Sequence, residues 1–217
     1  MPNWCDNSIK IKGPKDKIKK IWDEAQKEDK GLLSAIYPMP EALEGTTSPA
    51  PKEGTPQPLV DGFDNWYDWR VQNWGTKWDI TLSDGDHGLK FIDHKDGEAE
   101  INGWFMSAWS PPTGVMDKLL DDHNDIDVSM YFYEGGCDFA GHYDNGYEEE
   151  VVPSEEGKSE DWLEASRDTV VGQLDELFGI GETLANYEEQ EETEAERKVR
   201  ELVVEKKAQN MPEKEIA

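Results

Sequence analysis

Apolar residues recur along this chain with two periods, 2 and 3.6, and the switches between them predict its elements. In "NSIKIKG", residues 7–13, Ile9 and Ile11 alternate with Lys10 and Lys12, as in a half-buried strand. Gly13 and Pro14 end it, and Pro14 suits the first turn of a helix. Ile18, Ile21, Trp22 and Ala25 then form an i, i+3, i+4, i+7 stripe with Lys and Glu opposite, and Gly31 is a natural stop. Residues 38–62 hold six prolines and no period, which predicts a long loop with little part in the core. Phe63, Trp66, Tyr67, Arg70 and Trp74 restore helical spacing. "TKWDITL" predicts a strand with Trp78, Ile80 and Leu82 on one face; "LKFID" and "DGEAEINGWFMSAWS" predict two more. Val115, Met116, Leu119 and Leu120 form a second helical stripe. In "IDVSMYFYEGG", Ile126, Val128, Met130 and Phe132 alternate with polar or tyrosine positions, and "CDFAGHY" is its hairpin partner.

Stripped of insertions, the order is βαββαβ. The expected architecture is α+β: a ferredoxin-like antiparallel sheet with two helices on one face, over residues 1–150. From about residue 150 the character changes. "PSEEGKSEDW" predicts a linker, and 151–217 an acidic helical extension. Its first helix is expected to be capped by Ser159 and to carry Trp162, Leu163, Val170, Leu174, Leu177 and Phe178 up to Gly179. A second is expected to start at the capping-box sequence "TEAE", 193–196, with Val199, Leu202 and Val203 as its stripe.

Charge narrows the function. The net is −27, and residues 147–217 alone hold 22 Asp or Glu against 8 Lys or Arg. Such a surface argues against direct nucleic-acid binding, which needs Lys and Arg, and against an anionic membrane. It suits a basic partner protein. No apolar run reaches the ~20 residues of a membrane span, and the start is polar, so a cytoplasmic location is expected. Two cysteines, Cys5 and Cys137, form no disulfide framework or metal knuckle.

Five blocks, "MPNWCDN" (1–7), "YPMP" (37–40), "NWGTKWD" (73–79), "SAWSPP" (107–112) and "YFYEGGCDFAG" (131–141), resemble in kind and order the YubB-type ferredoxin-like domain family of phage and plasmid proteins, the Api-like phage proteins. The resemblance covers residues 1 to about 145. It implies a ferredoxin-like fold and a mobile-element origin, and brings no catalytic residues with it.

Two readings of "NWGTKWD" stay open. In one, Trp74 and Trp78 pack under the sheet with Trp22, Trp104 and Trp109, leaving Trp22, Trp78 and Trp109 largely buried. In the other, Asn73, Trp74, Lys77 and Asp79 line a ligand pocket. Cys5 is expected to be a buried structural thiol, because its acidic neighbours discourage a thiolate. The runs around His87, His123 and His142 lack metal-ligand spacing, and no catalytic, metal or cofactor site is expected. On the extension, Glu188, Glu189, Glu191 and Glu192 are the candidate partner-binding carboxylates, able to imitate a phosphate row. The expected function is a non-enzymatic phage or mobile-element protein that binds a host protein. The alternative is nucleotide or other small-molecule binding, or hydrolysis, around Asn73–Asp79.

Overall fold

The computed structural model describes residues 3–49, 57–83, 85 and 87–209; for residues 192, 195, 196 and 200–209 it describes the backbone alone. The chain divides into two compact units, Met1–Pro153 and Ser154–Ala217.

The first unit is a six-stranded antiparallel sheet, α+β as expected, with strand order β2-β3-β1-β4-β5-β6. Its strands are β1 (Trp4–Pro14), β2 (Lys90–Asp93), β3 (Glu98–Ala108), β4 (Asp127–Glu134), β5 (Phe139–Asp144) and β6 (Tyr147–Val151). The run β2-β3-β1-β4 is the ferredoxin-like order, and β5 and β6 extend it at one edge. Alternation sets the faces. Cys5, Asn7, Ile9 and Ile11 of β1 point inward, as do Ala99, Ile101 and Phe105 of β3 and Val128, Met130 and Phe132 of β4. Helix α1 (Lys15–Ala25) covers that face with Ile18, Ile21 and Ala25, and α4 (Thr113–Asp122) with Val115, Met116 and Leu119. Buried Asn7 is satisfied: its amide donates to Cys5 O at 2.8 Å and Ser107 Oγ at 2.9 Å.

Several local expectations are corrected. Residues 76–82 pair with no strand. Asp79 instead caps α2 (Leu32–Ile36): Oδ1 accepts from Leu33 N at 2.8 Å, and Oδ2 from Ser34 N at 3.2 Å. Ile80 O accepts from Leu32 N at 2.9 Å, so the groups a strand would pair are committed to a helix N-terminus. The proline-rich segment also joins the body. Leu43, in the short turn Glu41–Leu43, is fully buried, and Thr46 Oγ1 accepts from Trp66 N at 2.9 Å at the start of α3 (Trp66–Trp74). Residues 50–56 lie outside the described residues.

In the second unit, the single helix expected from Ser159 to Phe178 is two, α5 (Ser159–Leu163) and α6 (Val170–Phe178), the latter capped by Thr169 Oγ1 accepting from Gly172 N at 3.1 Å. Gly179, at φ 63°, ends α6 as expected. Lys158 rather than Ser159 is the cap residue of α5. Ser159 Oγ donates to Glu188 Oε2 at 2.7 Å and Ser159 N to Oε1 at 3.1 Å. Helix α7 (Ile180–Gln209) runs unbroken through "TEAE", where Thr193 Oγ1 bonds back to Glu189 O at 2.8 Å instead of capping. Val199 is exposed; the side chains of Leu202 and Val203 lie outside the described residues. Among the described residues, no helix is long and apolar enough to cross a membrane.

Two carboxyls of the sheet unit give it a pH signature, Glu148 on the edge strand β6 and Asp6 on β1. Burial, then the charges of Glu150 and Asp117, raise the Glu148 carboxyl above its ordinary value of 4.5, and burial raises Asp6. Groups raised in the fold contribute stability that is complete below the ordinary value and lost as pH rises through the folded one. The melting temperature is therefore expected to rise as pH falls from 7 toward 5. Thermal melts across that interval check this, and a steady fall would contradict it.

Candidate functional site

Asn65 and Gly75 determine where the tryptophan-rich helix begins and ends. Asn65 Oδ1 accepts from Asp68 N at 2.9 Å, and Gly75 closes α3 in the left-handed region at φ 86°. A Cβ at Gly75 would lie 2.8 Å from Pro111 O, so this turn needs glycine for its conformation and for its close neighbour. Beyond it, Thr76 Oγ1 donates to Ala108 O at 2.9 Å and Ser110 Oγ donates to Gly75 O. Trp109 N donates to Asn3 O at 3.0 Å, and Asn3 Nδ2 lies 3.5 Å from the Cys137 sulfur. Trp74 Nε1 donates to Tyr37 O at 2.8 Å. The five sequence blocks quoted above thus meet at one end of the sheet, where β1 and β5 begin and β3 and β4 end.

Their meeting places an aromatic strip on the surface. The Trp4 and Trp78 rings lie 5.6 Å apart, Tyr67 and Trp109 6.1 Å, and Trp66 and Tyr67 5.8 Å. Trp4 is 44% exposed, and Trp78 and Trp109 are each 36% exposed. Lys77 Nζ sits over three of the rings, 4.8 Å from Trp78, 5.5 Å from Trp109 and 5.7 Å from Tyr67. Trp109 has φ 72°, a conformation that a bulky side chain rarely adopts. The Trp109–Asn3 backbone bond holds the strained residue itself, and the Ser110–Gly75 bond the residue that follows it. Beside Trp4 and Trp78 is a notch of about 190 Å³, lined also by Asp79, Ile80, Thr81 and Met106.

The proposed ligand residues are close in sequence but do not converge. Asn73 Oδ1 accepts from Tyr37 Oη at 3.0 Å, and its amide donates to Trp69 O at 2.9 Å. Trp74 is fully buried. Arg70 stacks on it at 4.6 Å and is pulled below its ordinary pKa by burial, against the charges of Asp79 and Glu44. Asp79 is the α2 cap, and Lys77 alone of the four belongs to the strip. The expected burial is corrected too: Trp78, Trp104 and Trp109 are exposed and Trp22 is half-buried against Phe91, whereas Trp69, Trp74 and Trp162 are buried. Asp79→Ala removes the acceptor of the Leu33, Ser34 and Ile80 amides. It is expected to cost about 1–3 kcal/mol, read from the denaturant midpoint. An unchanged midpoint would show that the cap contributes nothing.

Sequence reasoning did not select Trp4, Tyr67 or Trp109 for the site. Trp4 had a usable signal: it has the opposite parity to inward Cys5, Asn7, Ile9 and Ile11.

Neither thiol is poised for attack. Burial pushes the Cys5 thiol well up, and Glu134, which accepts from Gly136 N and Cys137 N, pushes up that of Cys137. Among the described residues, no group of three His, Cys, Asp or Glu is placed to hold a metal. On α7, Glu189 and Glu191 are exposed, Glu188 is engaged by Ser159, and the side chain of Glu192 lies outside the described residues. Glu188→Gln is expected to speed amide exchange in α5; unchanged exchange would mean that this bond does not hold the helix.

Residues 77–173 match the family model described as the ferredoxin-like domain in Api92-like protein. The match opens at Lys77 and includes Trp78 and Trp109, and its ferredoxin-like description agrees with the α+β fold above. No curated protein and no solved structure matches the chain.

Proposed function

We propose that this is a non-enzymatic binding protein of a phage or related mobile element, which docks in the host cytoplasm on a host protein with a basic surface. The observation that carries this reading is the aromatic strip. Solvent-exposed tryptophans gathered at one end of the sheet are the residue type that dominates protein interfaces. Of the polar groups a nucleotide pocket at Asn73–Asp79 would use, Asn73 and Asp79 are engaged inside the fold and Lys77 lies over the aromatic strip, which leaves that alternative with less support. The acidity has a second role: a net charge of −27 steers a basic partner, and Glu189 and Glu191 add exposed carboxylates on two sides of α7. The partner is then a nucleic-acid-handling or defence protein whose basic surface is drawn to this acidity.

Affinity capture from host lysate tests the proposal, comparing the full chain with a Trp78→Ala/Trp109→Ala variant and a Glu189→Lys/Glu191→Lys variant. The aromatic variant is expected to lose the partner at every salt concentration. The charge variant is expected to lose it mainly at low salt, where charge attraction extends furthest. Full-strength capture by both variants would overturn the proposal.

A further inference from the structure

Lys77 is unusual on this surface. Its ammonium lies over the three rings of Tyr67, Trp78 and Trp109 and makes no ion pair among the described residues. Three rings converging on one cation form an aromatic cage, a device that recognises cations by their charge. Here the occupant is the chain's own side chain. It reaches in from residues 76–82, which belong to no ladder, so a four-carbon stem can swing out without breaking sheet hydrogen bonds. The surroundings favour a cation from outside. The whole chain is strongly acidic, with a net charge of −27, which draws cations to its surface. A guanidinium is more weakly hydrated than an ammonium and stacks flat on indole, so it competes well for such a cage.

We infer that the Tyr67–Trp78–Trp109 cage is the socket for an arginine side chain of the partner protein, and that Lys77 is a placeholder which this arginine displaces. The inference rests on the docking reading above and names the chemistry the partner presents there.

The test uses two short peptides, neutral apart from one central arginine in the first and citrulline in its place in the second. Each is titrated against the full chain, Lys77→Ala and Lys77→Ala/Trp109→Ala, following the tryptophan indole N–H signals. Lys77→Ala empties the cage, so it is expected to bind the arginine peptide about 3–10-fold more tightly than the unaltered chain does. It is also expected to prefer arginine to citrulline by about tenfold, and the added Trp109→Ala to erase that preference. Equal affinity of the arginine peptide for the unaltered chain and Lys77→Ala, or no preference over citrulline, overturns the inference. If Lys77→Ala melts early, Lys77→Met keeps the stem packed, removes the charge, and is held to the same two outcomes. The two proposals fail separately. Partner capture that depends on Trp78 and Trp109, with no arginine preference, leaves docking in place and removes the arginine; capture indifferent to both rings removes docking itself.

Discussion

Trp74→Ala is expected to destabilise the sheet unit by about 3–5 kcal/mol, the range for a large aromatic removed from a core. Trp74 is fully buried, edge-on to Trp69 at 5.9 Å and beneath the Arg70 guanidinium. Truncation leaves a cavity the size of an indole. It also takes the donor from Tyr37 O, a part-buried acceptor whose hydrogen bond is then left unmade. Arg70 would lose the ring over which its charge is held. Chemical denaturation measures the loss, and an unchanged midpoint would show that the helix α3 face is not part of the core.

Four residues further on, the same substitution is expected to do the opposite. Trp78→Ala together with Trp109→Ala should change stability by no more than about 1 kcal/mol, as surface positions usually do. The same pair should weaken partner binding by at least about 30-fold, the effect of losing an interface hot spot of about 2 kcal/mol. Both rings are over a third exposed, and neither indole N–H donates a hydrogen bond among the described residues. The Trp4 and Tyr67 rings beside them would remain to test whether the strip acts as a unit, since hot-spot effects are not additive. Large destabilisation by this pair would make the strip a piece of the core.

The contrast between Trp74 and Trp78 shows what was legible in the sequence. Strands with strict alternation were readable: the inward sets Ile9/Ile11 and Val128/Met130/Phe132 follow from parity, and with the helical stripes at Ile18–Ala25 and Val115–Leu120 they give the βαββαβ order. The helix end at Gly179 was readable from capping chemistry; Asn65 and Gly75, not expected as the ends of α3, carry the same kind of signal. "TKWDITL" misled because three apolar residues at period 2 satisfy the strand pattern, while the deciding fact is remote. Asp79 and Ile80 meet the N-terminus of α2, some 46 residues earlier, and that contact turns Trp78 outward. Trp109 misled for a different reason. It follows a strand in register, but its left-handed backbone reverses the facing that alternation would assign. The site depended on contacts among blocks as distant as Asn3 and Cys137, 134 residues apart, which no local period encodes. In the extension, "TEAE" has a capping-box form, yet α7 passes through it, because a capping sequence starts a helix only where the preceding residues leave one.

The most direct test of the account is the dissociation constant of the captured host protein for the unaltered chain and for Trp78→Ala/Trp109→Ala, at matched salt and alongside melting curves of both. The account predicts an unchanged melting temperature and binding at least about 30-fold weaker for the variant. An unchanged melting temperature with undiminished binding would contradict it.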